Sequence, residues 1–220
     1  MSDNFLREID EEVRRDKAAD LWKKYGNLVI VLLALLVVAV GGWRFWQYRQ
    51  EQAAHAVSAR LEEALKASRE SRGEDAEKTL TDLAKEGSDG YRLVARFRLA
   101  AEAARREPAD GAKAFDALAN DTTVEQVFRD LARIRSNLLK VDSAPYAEIR
   151  AAVEPLAAPA GTWRHTAREI LGLSALKGGN LDEAGRWFDQ IVVDPQAPQG
   201  LRQRADLYLG LVKAGAVEIK

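Results

Sequence analysis

The sequence predicts an all-α chain in which a single N-terminal transmembrane helix precedes a solenoid of helical hairpins. Three observations carry that prediction: an uncharged apolar run, a helix-favouring composition elsewhere, and a small-large-large motif that recurs at a near-constant interval. Every residue from Leu28 to Val40 is apolar, and from Leu28 to Trp43 there is neither charge nor proline. With its aromatic ends, the stretch 25–46 makes a helix of about 22 residues and roughly 33 Å, long enough to cross a hydrocarbon core.

Composition narrows what the remainder can be. Apolar residues make up 47% of the chain and charged residues 30%, which fits a folded core under a well-solvated surface. Outside the span the apolar share rests largely on alanine, and alanine, leucine, glutamate and arginine favour helix. Formal net charge is -1, and residues 47–220 carry 26 Lys and Arg against 27 Asp and Glu. That balance gives no electrostatic reason to expect nucleic acid. The absence of cysteine excludes disulfides, thiolate nucleophiles and sulfur-ligated metals without fixing a compartment.

Residues 1–24 read as a charged amphipathic cytoplasmic segment. Phe5, Leu6, Ile9, Val13, Leu21 and Trp22 recur at roughly helical spacing among charged residues. Such a helix docks a partner or a membrane surface, or else serves as a charged flank that sets topology. Residues 25–46 form the predicted transmembrane helix. A cleaved signal peptide ending near Ala39-Val40-Gly41 is an alternative, but the leading segment holds seven acidic residues beside six basic ones, unlike a short positive leader. A helix buried in a core is the other alternative, and it would carry some polar residues. Arg14, Arg15, Lys17, Lys23 and Lys24 outweigh Arg44 and Arg49 near the span, so the N-terminus is expected in the cytoplasm. Tyr25 at one end and Trp43, Phe45 and Trp46 at the other suit the two interfaces, with Arg44 reaching for headgroups.

Residues 47–73 read as a helical stalk and first repeat helix, stopped at Ser71-Arg72-Gly73. From 74 to 214 the chain repeats itself. Ala76-Leu80-Leu83, Gly111-Phe115-Leu118, Ile149-Val153-Leu156 and Ala184-Phe188-Ile191 share one spacing, at intervals of 35, 38 and 35 residues. Between them lie the pairs Leu99-Ala100, Leu131-Ala132, Leu171-Gly172 and Leu209-Gly210. A period near 34 with paired helices is the signature of tetratricopeptide repeats, with a generic bundle of coincidental spacing as the alternative.

The clearest copy runs from Thr166 to Pro195. Gly172 and Ala184 are small so that two helices approach closely, Phe188 fills space against the next hairpin, and Pro195 ends the second helix. Leu99, Ala100, Phe115 and Leu171 are the matching packing residues. With this copy as ruler, Thr166, Glu169, Leu173 and Leu176 face a possible partner groove, though they could equally meet a neighbouring helix. Thr122 or Thr123 is expected to cap the helix that follows, and Asn180 or Asp182 to open the one carrying Ala184. Leu201 to Leu211 reads as a final helix burying Leu201, Ala205, Tyr208 and Leu211 or Val212, and residues 215–220 as a frayed tail.

The order of a charged tail, one span ending in Gly42-Trp43-Arg44-Phe45-Trp46, a polar stalk and degenerate hairpins resembles the YfgM family. These are tetratricopeptide-repeat-like inner-membrane proteins, ancillary subunits of the SecYEG translocon. The resemblance covers nearly the whole chain, although its specific part is the short Gly-Trp-Arg-aromatic-Trp exit. It implies a single-pass protein of a Gram-negative inner membrane with its repeat domain in the periplasm. Its implied partners are the SecYEG translocon, periplasmic chaperones and exported proteins. The tail is longer and more charged than in the best-known members.

Catalytic chemistry is not legible. His55 and His165 are the only histidines, and neither stands in a His-Glu-x-x-His pattern. No Gly-x-Ser-x-Gly elbow occurs, and Gly41-Gly42 and Gly178-Gly179 lack phosphate-loop spacing. The expectation is therefore no catalytic residue, no metal, no cofactor and no small-molecule substrate. The chain reads as a binding protein at the translocon exit. The alternatives are a scaffold for envelope or division machinery and, last, a membrane-tethered enzyme.

Overall fold

Helix α1, Ser2–Arg69, runs for 68 residues and enters both of the compact units into which the chain divides, Met1–Ala56 and Val57–Lys220. The computed structural model describes residues 2–70 and 72–215, with side chains from Trp22 onward except at 26, 28, 29, 31, 33, 34 and 53. The apolar face expected for residues 1–24 thus lies outside the described side chains apart from Trp22.

In the N-terminal unit Ile30, Leu32, Leu35, Leu36, Val37, Val38 and Val40 are each more than half exposed. Positions 35 to 38 point in four directions about 100° apart, so the apolar surface surrounds the helix. The rings of Trp43 and Trp46 lie 5.9 Å apart, and Lys24 Nζ stands 5.3 Å from the centre of the Tyr25 ring. Among the described residues no helix is long and apolar enough to cross a membrane. The predicted span falls partly outside them, at 26, 28, 29, 31, 33 and 34.

The second unit is a row of helical hairpins. After α1 come α2 (Gly73–Glu86), α3 (Asp89–Arg106), α4 (Pro108–Asn120), α5 (Gln126–Lys140) and α6 (Tyr146–Val153). A 3-10 turn at Glu154–Ala157 leads to α7 (Arg164–Lys177), α8 (Leu181–Val192) and α9 (Gln199–Ala214). From α2 onward each helix packs mainly on its neighbours in sequence, so the array is held by short-range contacts in the manner of a solenoid.

The recurring triplets form the spine of the core. Ala76, Leu80 and Leu83 are buried in α2, Gly111, Phe115 and Leu118 in α4, and Ala184, Phe188 and Ile191 in α8. In the third copy Ile149 and Val153 are buried, and Pro155 then turns the chain from α6 into the 3-10 turn with Leu156 half-buried. Four apolar clusters follow one another along the array. The first joins Ala64 of α1 to Leu80, Leu83 and Ala95, and the second joins Ala100 to Phe115, Leu118 and Ala132. A third is built on Ile149, Val153, Ile170 and Leu171, and the last on Ala184, Phe188, Ile191 and Leu209.

Close approach fixes where small residues stand. A Cβ added at Gly172 would lie 2.6 Å from the Phe188 ring, and one added at Gly111 would collide with the Ala104 backbone. Gly179 has φ +75 and turns α7 into α8, a conformation that costs glycine little.

Local details differ from the sequence expectations at three points. Thr123 does not cap α5: its backbone N–H and hydroxyl bond Asp121 Oδ1 at 3.0 and 2.6 Å, and α5 starts after Glu125. An Asx-type turn wins because Asp121 offers the nearer acceptor. Asn180 precedes α8 as expected but makes no side-chain capping bond. In α9 the buried face carries Leu201, Ala205 and Leu209, with Tyr208 and Val212 half-buried, while Leu211 is exposed. Residues 216–220 of the expected frayed tail lie outside the described residues.

Candidate functional site

Two successive first helices of the array, α3 and α5, form the walls of a groove floored by α4. Its cavity measures about 1080 Å³ and is lined mainly by apolar side chains. That exceeds the span of about 300–1,000 Å³ usual for small-ligand pockets.

The walls follow from helical periodicity. On α3, Gly90, Val94, Phe97, Ala101 and Ala104 line the groove, spaced three or four residues apart. Elsewhere on the same helix Ala95 is buried against Ala64 of α1 and Leu80 and Leu83 of α2, and Ala100 against Phe115 and Leu118 of α4, a cluster that Phe97 and Ala101 also touch. On α5 the lining residues are Phe128, Leu131, Arg135 and Leu138, while Ala132 and Ile134 enter the core. Phe115 of α4 supplies the floor, with its ring centre 5.9 Å from that of Phe97 in a tilted contact. Val94, Phe128 and Leu138 remain 42%, 37% and 45% exposed. Large apolar side chains left open along one groove make it the candidate interaction surface.

Ion pairs hold the walls in place. Arg96 on α3 reaches Asp121 after α4 at 2.6 Å, and Lys140 on α5 reaches Asp116 of α4 at 2.7 Å. Hydrogen bonds from Thr123 and then Arg96 lower the Asp121 carboxyl to about 2. The Trp163 indole N–H donates to the Val127 carbonyl at 3.3 Å, tying α5 to the segment before α7.

Charge in the groove has a sign. Arg92 pairs with Asp89, and Arg96 is held by Asp121. Arg98 on α3 and Arg135 on α5 are exposed, line the groove from opposite walls, and join no ion pair among the described residues. Glu125 lines it at the start of α5.

The residues expected at a partner groove, Thr166, Glu169, Leu173 and Leu176, are all half-buried on α7. Arg204 of α9 donates to both Glu169 carboxylate oxygens at 2.8 and 3.2 Å, and Leu173 and Leu176 pack on the last apolar cluster. The packing residues Leu99, Ala100, Phe115, Leu171, Gly172, Ala184 and Phe188 all lie in or against the core.

A second charged cluster surrounds Asp194. Its Oδ2 receives Arg164 Nε at 3.2 Å, His165 Nε2 at 2.9 Å and Arg168 Nη1 at 3.3 Å. The Gln196 backbone N–H donates to Oδ1 at 2.9 Å. That bond first, then His165 and Arg164, holds the carboxyl well below the usual range. Buried Arg168 also donates to the carbonyls of Ala157 and Gln190. The cluster clamps the start of α7 to the end of α8, so His165 is accounted for as a structural partner.

Sequence reasoning missed Val94, Phe128, Leu138, Arg98 and Arg135. The signal was the row Gly90-Val94-Phe97-Ala101-Ala104 of α3, small and apolar residues at steps of three and four.

No curated protein and no solved structure matches the chain at a significant level. A family model does match, that of the tetratricopeptide repeat-like domain, over residues 20–203. Domains of this kind typically mediate protein–protein interactions through extended concave surfaces. With most of its length matched, hairpins at the repeat period and an open concave groove, the chain belongs to the tetratricopeptide repeat-like domain family.

Proposed function

We propose that this chain is a membrane-anchored protein-binding module of a bacterial inner membrane. Its N-terminus is cytoplasmic and its helical array periplasmic, beside the SecYEG translocon. There it receives exported proteins and passes them to periplasmic chaperones. The observation that carries the binding role is the open groove between α3 and α5, with Val94, Phe128 and Leu138 exposed on its walls.

The anchor rests on the apolar surface that surrounds α1 from Leu35 to Val40 and on the aromatic ends at Tyr25 and Trp43 to Trp46. A helix apolar on every side needs hydrocarbon or a protein core around it. The matched region starts at residue 20, so one family model takes in both the apolar stretch and the repeats. Orientation follows from the excess of Lys and Arg before the span. The translocon assignment rests on the resemblance carried by Gly42-Trp43-Arg44-Phe45-Trp46 and by the order of features.

Crosslinking in intact membranes, followed by identification of the captured proteins, tests this reading. Translocon subunits and exported chains are the expected captures. Recovery of division or wall-synthesis proteins alone would replace it with a scaffold.

A further inference from the structure

Within that protein-binding reading, we infer that the groove between α3 and α5 holds an amphipathic α-helix of the partner whose apolar stripe is flanked by acidic side chains. The walls are helices whose backbone groups are already paired, so the groove offers no ladder to an extended strand. A helix brings its own backbone hydrogen bonds and needs only a complementary surface. From Gly90 to Ala104 the α3 wall is about 21 Å long, which matches about 14 helical residues. The lining stripes present apolar side chains at three- and four-residue steps, and an occupant meets them with leucine-type anchors at the same steps.

Charge selects the flanks. The other two groove arginines are occupied within the chain, Arg92 by Asp89 and Arg96 by Asp121. Arg98 and Arg135 stand on opposite walls, exposed and paired with no carboxylate among the described residues. A helix lying between them meets one on each side, so carboxylates on both flanks of its apolar stripe are satisfied together. Glu125, at the start of α5, sets the other end of the groove against acidic side chains, so the carboxylates belong beside Arg98 and Arg135.

The test uses the full chain in lipid nanodiscs and two synthetic peptides of about 14 residues, one turn-matched set of leucines in each. One peptide carries glutamates flanking the leucine stripe, and the other carries lysines at the same positions. Fluorescence anisotropy is expected to give about tenfold tighter binding of the glutamate peptide, weakening as salt rises. Arg98→Glu with Arg135→Glu, both exposed, is expected to leave the circular dichroism unchanged and reverse the preference. Equal binding of the two peptides, binding of neither, or a preference that survives the double reversal would overturn the inference. A photoreactive residue placed at Leu138 in intact cells separates this from the broader reading. Capture of polypeptides without a charge preference defeats only the acidic helix, whereas absence of both defeats the protein-binding role of the groove.

Discussion

Phe188 lies across Gly172, close enough that a Cβ on the glycine would come within 2.6 Å of the ring. The ring also stacks on Tyr208 of α9, with centres 5.0 Å apart. One fully buried side chain thus joins both helices of its own hairpin to the helix that follows. Gly172→Ala is expected to destabilise the array by about 1–3 kcal/mol through overpacking, offset in part by about 1 kcal/mol of helix propensity. Phe188→Ala is expected to cost about 3–5 kcal/mol. Adding Phe188→Leu to Gly172→Ala should recover part of the first loss. Urea unfolding of the full chain in detergent measures all three; additive losses would show that the two residues do not press on each other.

Acid stability should report the Asp194 clamp. Its carboxyl is held well below the usual range by the Gln196 N–H, His165 and Arg164. A depressed carboxyl stabilises the fold above about pH 4, where the unfolded group is ionised, and loses that contribution as pH falls through the folded value. Asp194→Asn should therefore lower stability at pH 7 and flatten its decline below about pH 4. Asp121, lowered to about 2, behaves alike, so Asp121→Asn should flatten the decline between about pH 4 and 2. Denaturant titrations at pH 7, 4 and 3 give the slopes.

The turn between α7 and α8 depends on one backbone conformation. Gly179, at φ +75, meets no atom within 4 Å of an added Cβ, so any cost of Gly179→Ala is conformational. The expected loss is about 1–2 kcal/mol, seen as a lower midpoint with an unchanged denaturant slope.

Groove residues should separate binding from folding. Phe128→Ser and Leu138→Ser alter side chains that are 37% and 45% exposed. Stability is expected to change by about 1 kcal/mol or less, while capture of partners in membranes is lost. Loss of both together would make these residues part of the core.

The repeat spine was legible because burial and close approach dictate residue size at fixed spacing. Ala76, Gly111 and Ala184 announced three hairpins, and all three are buried at helix contacts. The groove was less legible because its position depends on which successive first helices part and which close. In the copy with the clearest motif, 166–195, Arg204 of α9 already engages Glu169. The degenerate copies, where α3 and α5 leave room above Phe115, carry the open surface instead. Capping failed at Thr123 for a local reason, since Asp121 two residues earlier takes its hydroxyl and N–H.

A partner held in the groove between α3 and α5 lies within reach of both of its walls. Photoreactive residues placed singly at Val94, Leu138 and, on α9, Leu207 test this placement most directly in intact membranes. Exported chains and translocon subunits should crosslink from Val94 and Leu138, with little from Leu207, although Leu207 is 72% exposed. Crosslinks from Leu207 alone would contradict it.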